Sequence, residues 1–337
     1  MTQSETDGGV LLSVLDTAPI VEGSSASQAL QNTVDLAAHA DALGYHRYWV
    51  PEHHSMRGVA SAAPAVLVGR LAEVTRSIRV GSGGVLLPNH SPLIIAEQFG
   101  TLEAFHPGRI DLGLGRALGG PSRAASAIRP TGSDQKSFAE QLRELLGYFD
   151  EREPEPGTVT AVPAAGNRPQ PWILGTSPAS AELAAIAGLP YAVAHHLNPD
   201  CGELLQVYRE AFQPSVGLAT PRSLMSVSVI AADSDARAEW LAGSSRLKIL
   251  SRLKGSRIRL PTPEDAASVH YTSEERDTVD HHTRGLIVGA SQTVRQKLDA
   301  LIKQFDPGEI MVTTPIFHHD DRRGSYELVA EIGRDAQ

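Results

Sequence analysis

Short apolar runs alternate along the chain with longer stretches of helical spacing. Val10 to Leu15, Tyr45 to Val50, Ile78 to Leu87, Ile110 to Leu114, Trp172 to Leu174, Tyr191 to Ala194, Leu224 to Ala231 and Ile310 to Thr314 are short, apolar and bounded by turn residues. Parallel strands buried on both faces have this pattern. Between them, apolar positions recur at helical spacing over 27–43, 63–75, 92–105, 133–149, 177–188, 201–212, 234–252 and 291–304, with a last helix near 324–332. Ser27 suits an N-cap for the first helix, Gly44 its end, and Pro64 the first turn of the second. Eight strands in regular alternation with helices predict an α/β fold, a closed (β/α)8 TIM barrel, over 10–335 as one domain. Residues 1–9 read as a disordered tail. Residues 117–133 read as a loop and 150–169 as a linker-like excursion. The polar stretch 253–284, before the last strand, has weak periodicity and reads as a mobile lid.

The exceptions to the apolar pattern carry the chemistry. The third strand contains Gly81, Gly83 and Gly84, and glycine inside a strand marks a close approach to the backbone. The fourth ends in Gly115-Arg116, a cation just past the strand. Side by side, these strands offer a flat, glycine-floored surface beside an arginine, which suits a large planar anionic cofactor. In such barrels the active site lies at the C-terminal ends of the strands. That rule selects Asp16, Glu52, His53, His54, Gly83, Gly84, Gly115, Arg116, Ser177, His195 and His196.

Composition narrows the field. The 337 residues carry a formal net charge of −9, which argues against non-specific binding to nucleic acid or an anionic membrane. Cys201 is the sole cysteine, so neither an intrachain disulfide nor a cysteine zinc cluster can form. There is no apolar run of ~18 residues for a membrane span, and the polar, acidic N-terminus is no signal peptide. A cytoplasmic enzyme acting on a small molecule is the expectation. Four His-His pairs, 53–54, 195–196, 281–282 and 318–319, raise a metal-dependent hydrolase as a rival. Adjacent residues on a strand point to opposite faces, so such a pair chelates one ion poorly, and no metal site is expected. The run Gly113 to Gly119 lacks the full dinucleotide fingerprint.

Four segments together resemble the bacterial luciferase-like family of flavin-dependent monooxygenases. They are GYHRYWVPEHHS at 44–55, RVGSGGVLLPNHSPLIIAEQFGTLEAFHPGRIDLGLGRALGG at 79–120, WILGTSPASAELAAIAGLPYAVAHH at 172–196 and LIVGASQTVRQKLDALIKQFDPGEIMV at 286–312. Within the family they are most similar to oxidoreductases associated with natural-product pathways. The resemblance implies a (β/α)8 barrel that uses reduced FMN and O2, through a flavin hydroperoxide, to oxygenate a small organic substrate. It implies a cis peptide at Gly83-Gly84 beneath the flavin ring and Arg116, Ser177 and Ser180 at its phosphate. Ser82, Gly115, Leu118, Ala194 and His195 follow as further neighbours of the cofactor. His53 matches the family's catalytic histidine, with Glu52 beside it; a histidine can act as a base near neutral pH. Reduced flavin is expected from a separate reductase, and the chain is expected to form a homodimer. Two alternatives stay open: an F420-dependent hydride-transfer enzyme of the same fold, and a non-catalytic flavin-binding protein.

Overall fold

In the computed structural model, nine parallel strands build one sheet. It describes residues 10–117, 119–120, 122–128, 136–151 and 157–334. The strands are β1 (Leu11–Leu15), β2 (Arg47–Val50), β3 (Arg79–Leu86), β4 (Ile110–Gly115), β5 (Gln170–Gly175), β6 (Tyr191–Ala194), β7 (Ser223–Ala231), β8 (Leu286–Gly289) and β9 (Glu309–Thr313). The pairing runs β6-β5-β4-β3-β2-β1-β9-β7, and β7 returns to β6 and closes the ring. That is the expected eight-stranded barrel. β8 lies outside the ring, pairing only with Ser228 to Ala231 of β7. The lower part of β7 pairs with β6, through Tyr191↔Ser223 to Ala194↔Ser226. The expected tail at 1–9 and the candidate Leu118 lie outside the described residues.

Two separate packing layers follow from the two faces of each strand. The outward face meets the surrounding helices and forms the main apolar core, including Val14, Tyr48, Val50, Val80, Leu112 and Ile310. The inward face carries a smaller cluster of Leu15, Trp49, Trp172, Ala192, Leu224 and Met311. Trp49 and Trp172 meet edge to face, with ring centroids 5.4 Å apart. Beneath them the barrel is plugged by charge. Arg47 Nη1 donates to Asp111 Oδ2 at 2.7 Å and its Nε to Glu309 Oε1 at 2.6 Å. The same guanidinium lies 4.9 Å from the Trp172 ring centroid. Charged side chains therefore fill the interior at its N-terminal end, below the tryptophans.

The stretch 253–284 is not a continuous loop, despite its weak periodicity. It holds two helices, Pro263–Ser268 and Ser273–Thr283. Thr262 caps the first, and a reciprocal Thr272/Glu275 capping box opens the second. Only Pro263, Ala266 and Val279 of these helices are buried, too few to give the apolar periodicity that marks a helix in sequence. The caps were the legible signal. Leu260 bridges to Val21, and the Glu22 N–H donates to the Leu260 carbonyl at 2.9 Å, tying the insertion to the loop after β1. A short helix, Ser122–Ile128, also interrupts the expected loop 117–133.

Candidate active site

A cavity of about 420 Å³ opens at the C-terminal end of the barrel, within the usual range for small-molecule sites. Its floor is the inner apolar cluster: Leu15, Trp49, Leu174, Ala192, Leu224 and Met311. The Gly83-Gly84 edge, Gly115 and Leu86 form one wall, and His53, His196 and Ser226 also border the space.

The glycine wall is built by close strand contact. The bond between Gly83 and Gly84 is cis. The β3–β4 register shifts between Ser82 and Val85, so the pair interrupts the ladder where it faces the cavity. A methyl group on Gly84 would sit 2.6 Å from the Gly113 carbonyl oxygen, a backbone atom that cannot step aside. Ser82 itself is fully buried, and its hydroxyl donates to the Gly113 carbonyl at 2.9 Å. It does not border the cavity, contrary to expectation, because it is spent in bracing β3 against β4.

At one end of the cavity, three polar side chains converge. Arg116 Nη2 donates to Ser177 Oγ at 3.2 Å, and Ser177 Oγ lies 3.1 Å from Ser180 Oγ. Ser177 is the N-cap of the helix Pro178–Ile186, yet its hydroxyl makes no capping bond to the helix. Both hydroxyls and the guanidinium therefore surround a helix start, where free N–H groups and the helix dipole favour an anion.

The loop after β2 supplies the titratable groups. The Glu52 side chain is wholly buried. Its Oε1 takes bonds from His54 Nε2 at 2.7 Å and His90 Nε2 at 2.8 Å, and its Oε2 from the Leu86 N–H at 2.9 Å. Burial pushes this carboxyl up, but the bonds from His90, the Leu86 N–H and His54 outweigh it and hold it below the usual range. Glu52 thus braces the end of β3. His53 faces the other way, into the cavity, and its Nδ1 is buried with no partner among the described residues. Burial pushes its pKa down, partly offset by the Gly119 backbone.

The strand β6 corrects one expectation. Ala192 and Ala194 border the cavity, and His196 continues that alternation. His195 points outward instead, buried edge-on against Phe305 with ring centroids 5.9 Å apart. The cavity-facing histidine is therefore one residue later than the resemblance implied. Asp16, another candidate at a strand end, is fully buried and paired with Arg322. No group of three or more His, Cys, Asp or Glu side chains able to hold a metal occurs among the described residues. No helix among them is long and apolar enough to cross a membrane.

The family model for luciferase-like monooxygenase matches residues 11–305. The chain belongs to the luciferase-like monooxygenase family. It is 44% identical over 329 residues to a luciferase-like monooxygenase of Escherichia coli strain K12, covering 97% of this chain and 98% of that one. It is 33% identical to the N-acetyl-S-alkylcysteine monooxygenase of Bacillus subtilis strain 168, covering 96% and 98%. The crystal structure of apo-MsnO8 superimposes with a TM-score of 0.86 at 36% identity, over 97% and 98% of the two chains. Two more distant structures share the fold. One is the oxygenating constituent of 3,6-diketocamphane monooxygenase from Pseudomonas putida in complex with FMN, with a TM-score of 0.71, 21% identity and coverage of 96% and 98%. The other is an F420-dependent secondary alcohol dehydrogenase, with a TM-score of 0.70, 13% identity and coverage of 97% and 100%.

Proposed function

We propose that this family member is a flavin-dependent monooxygenase that takes reduced FMN and O2 and oxygenates a small organic substrate. The observation that carries the reading is one cavity with two complementary ends. A phosphate suits the Arg116, Ser177 and Ser180 donors at the helix start. A planar ring suits the flat edge of Gly83, Gly84 and Gly115 beside it.

Reduced FMN, when bound, supplies the electrons that activate O2 for transfer of one oxygen atom. The protein's own residues do the rest. Arg116 and the two hydroxyls hold the phosphate. The apolar floor from Leu15 to Met311 keeps the reacting region dry, which protects reactive species from loss to water. His53, neutral near pH 7 because burial lowers its pKa, accepts or returns a proton at its ring nitrogen. Glu52, bonded to the Leu86 N–H and to His54, holds the end of β3 and the residue that follows His53. The electrons come from a separate reductase, and two copies of the chain pair as a homodimer.

The test is an anaerobic titration with photoreduced FMN and, in parallel, with reduced F420, followed by mixing with O2. Binding of FMN with slow release of hydrogen peroxide supports the reading. An N-acetyl-S-alkylcysteine is the first substrate to add, because a relative matching nearly the whole chain bears that name. Binding of F420 without FMN would transfer the chain to the hydride-transfer branch. FMN binding with no turnover on any substrate would make it a carrier.

A further inference from the structure

The feature that the reading above leaves unused is the pairing of His196 with Ser226 on the cavity wall. His196 lies two residues beyond Ala194, and both it and Ser226 border the cavity. Its backbone N–H donates to the Ser226 carbonyl at 3.0 Å, extending the β6–β7 ladder by one step. This fixes the imidazole beside the serine. His196 Nδ1 then lies 2.8 Å from Ser226 Oγ, and Ser226 Oγ lies 3.3 Å from the Val193 carbonyl oxygen.

A serine hydroxyl has one proton to give. The Val193 carbonyl can only accept, so the hydroxyl donates there. Ser226 Oγ must then accept from His196, which places the proton on Nδ1. Both bonds are satisfied by that tautomer alone. Nε2 is left with a bare lone pair, and it makes no hydrogen bond among the described residues. The ring stays neutral: burial, opposed more weakly by the Ser226 backbone, holds its pKa at about 4. A charge on His195 or on His53 would further disfavour protonation of His196. The His53 and His196 rings therefore border one space and are not both positively charged. His53 is available for proton handling, and His196 is fixed as an acceptor.

We infer that His196, oriented by Ser226, is a substrate-orienting residue whose Nε2 accepts a hydrogen bond, so that the cavity selects molecules joining an apolar body to a donor group such as a hydroxyl, amide N–H or thiol. The apolar floor takes the body, and His196 reads the donor. The inference rests on the oxygenase reading only in calling the occupant a substrate.

The test needs no turnover. Two probes, 4-methylphenol and 4-methylanisole, share the ring and its oxygen, and the second replaces the donor proton with a methyl group. Their affinities are measured by NMR titration of the protein carrying ¹⁵N-labelled histidine, with the His196 signals assigned by their loss in His196→Asn. The wild type is expected to show a neutral ring protonated at Nδ1 and to bind the phenol about fivefold tighter, the scale of one net hydrogen bond. Glutamine can carry an amide oxygen to the Nε2 position, whereas asparagine reaches only to Nδ1. His196→Gln is therefore expected to keep the preference, and His196→Asn to lose it. Equal affinities or no binding in the wild type, protonation at Nε2, or a preference retained by His196→Asn would each overturn the inference. FMN titration of the same proteins separates the two readings. A wild type that prefers the phenol but binds no FMN leaves this inference standing and removes the oxygenase reading. A His196→Asn protein that loses FMN while keeping the phenol preference assigns His196 to the cofactor and overturns the inference.

Discussion

Asp16 and Arg322 stand 306 positions apart in the chain and 2.7 Å apart in the fold, where Arg322 Nη2 donates to Asp16 Oδ1. Both are buried. Asp16 also takes bonds from the Ala18 N–H at 2.7 Å and the Tyr48 hydroxyl at 2.5 Å, while Arg322 Nε donates to the Thr314 carbonyl at 3.2 Å. The pair locks the last helix, His319–Arg334, across the seam where β1 meets β9. Burial pushes the Asp16 carboxyl up, but the adjacent Arg322 charge and the Tyr48 hydroxyl hold it below the usual range. Replacing Arg322 with leucine leaves a buried carboxylate without its counter-charge, a loss of about 3–5 kcal/mol. The double variant Asp16→Leu, Arg322→Leu should lose less than the sum of the two single changes. Urea unfolding of the four proteins measures this, and strict additivity would show that the two side chains act independently.

The same pair marks where the sequence was readable and where it was not. The ring of eight strands was legible because each strand is a short apolar run with turn residues at both ends, as in Tyr191 to Ala194. Glycine clusters and the Arg116, Ser177 and Ser180 group also stood out, since each breaks an apolar rhythm at a strand end. Asp16 did not separate from the site candidates, because a carboxylate at a strand end looks the same whether it meets substrate or a distant arginine. Arg47, Asp111 and Glu309 each stand in an apolar strand, yet nothing local reveals that they meet inside the barrel. His195 and His196 differ by one step of the strand's two-residue period. A resemblance that slips by one residue therefore exchanges the cavity face for the helix face.

Acid should destabilise the fold through His196 before it reaches the carboxylates. Imidazole in the unfolded chain titrates near 6.5, and burial holds His196 at about 4. Between those values the unfolded chain binds more protons, so stability falls as pH falls through that window and is unaffected by this group above it. The contribution is about 1–3 kcal/mol. His53, His195 and His46 are pushed down by burial as well and act in the same direction. His196→Asn should therefore flatten, without abolishing, the dependence of the urea midpoint on pH between about 6.5 and about 4. A variant with the wild-type slope would mean that His196 is freely protonated in the fold.

The phosphate assignment makes a differential prediction. Arg116→Ala removes a guanidinium from the Ser177 and Ser180 hydroxyls and leaves the glycine wall untouched. A charge-assisted bond to phosphate contributes about 1.5–3 kcal/mol, so FMN affinity should fall by about 10–100-fold. Riboflavin, which has the ring without the phosphate, should change little. Fluorescence titration of both ligands reads the difference. Equal losses would place Arg116 away from the phosphate and leave the helix start to the serines alone.

Glu52 offers the sharpest separation between bracing and chemistry. Its two oxygens are fully engaged: Oε1 by His54 and His90, Oε2 by the Leu86 N–H. Glutamine at this position has one oxygen and one amide group, so it cannot accept on both sides. Either the Leu86 N–H meets a donor, at a cost of about 1–3 kcal/mol, or His54 and His90 must both change tautomer to accept from the amide. Leu86 borders the cavity beside Gly83 and Gly84, so the same change should weaken FMN along with the fold. His54→Asn, whose amide reaches only to the Nδ1 position, removes one of the two histidine contacts and should cost less, about 0.5–1.5 kcal/mol. Urea unfolding and FMN titration of both variants give four numbers. If Glu52→Gln loses activity with stability and FMN affinity intact, Glu52 acts on the reaction itself. Matched losses in stability and FMN affinity mean that it acts by holding Leu86 and the glycine wall in place.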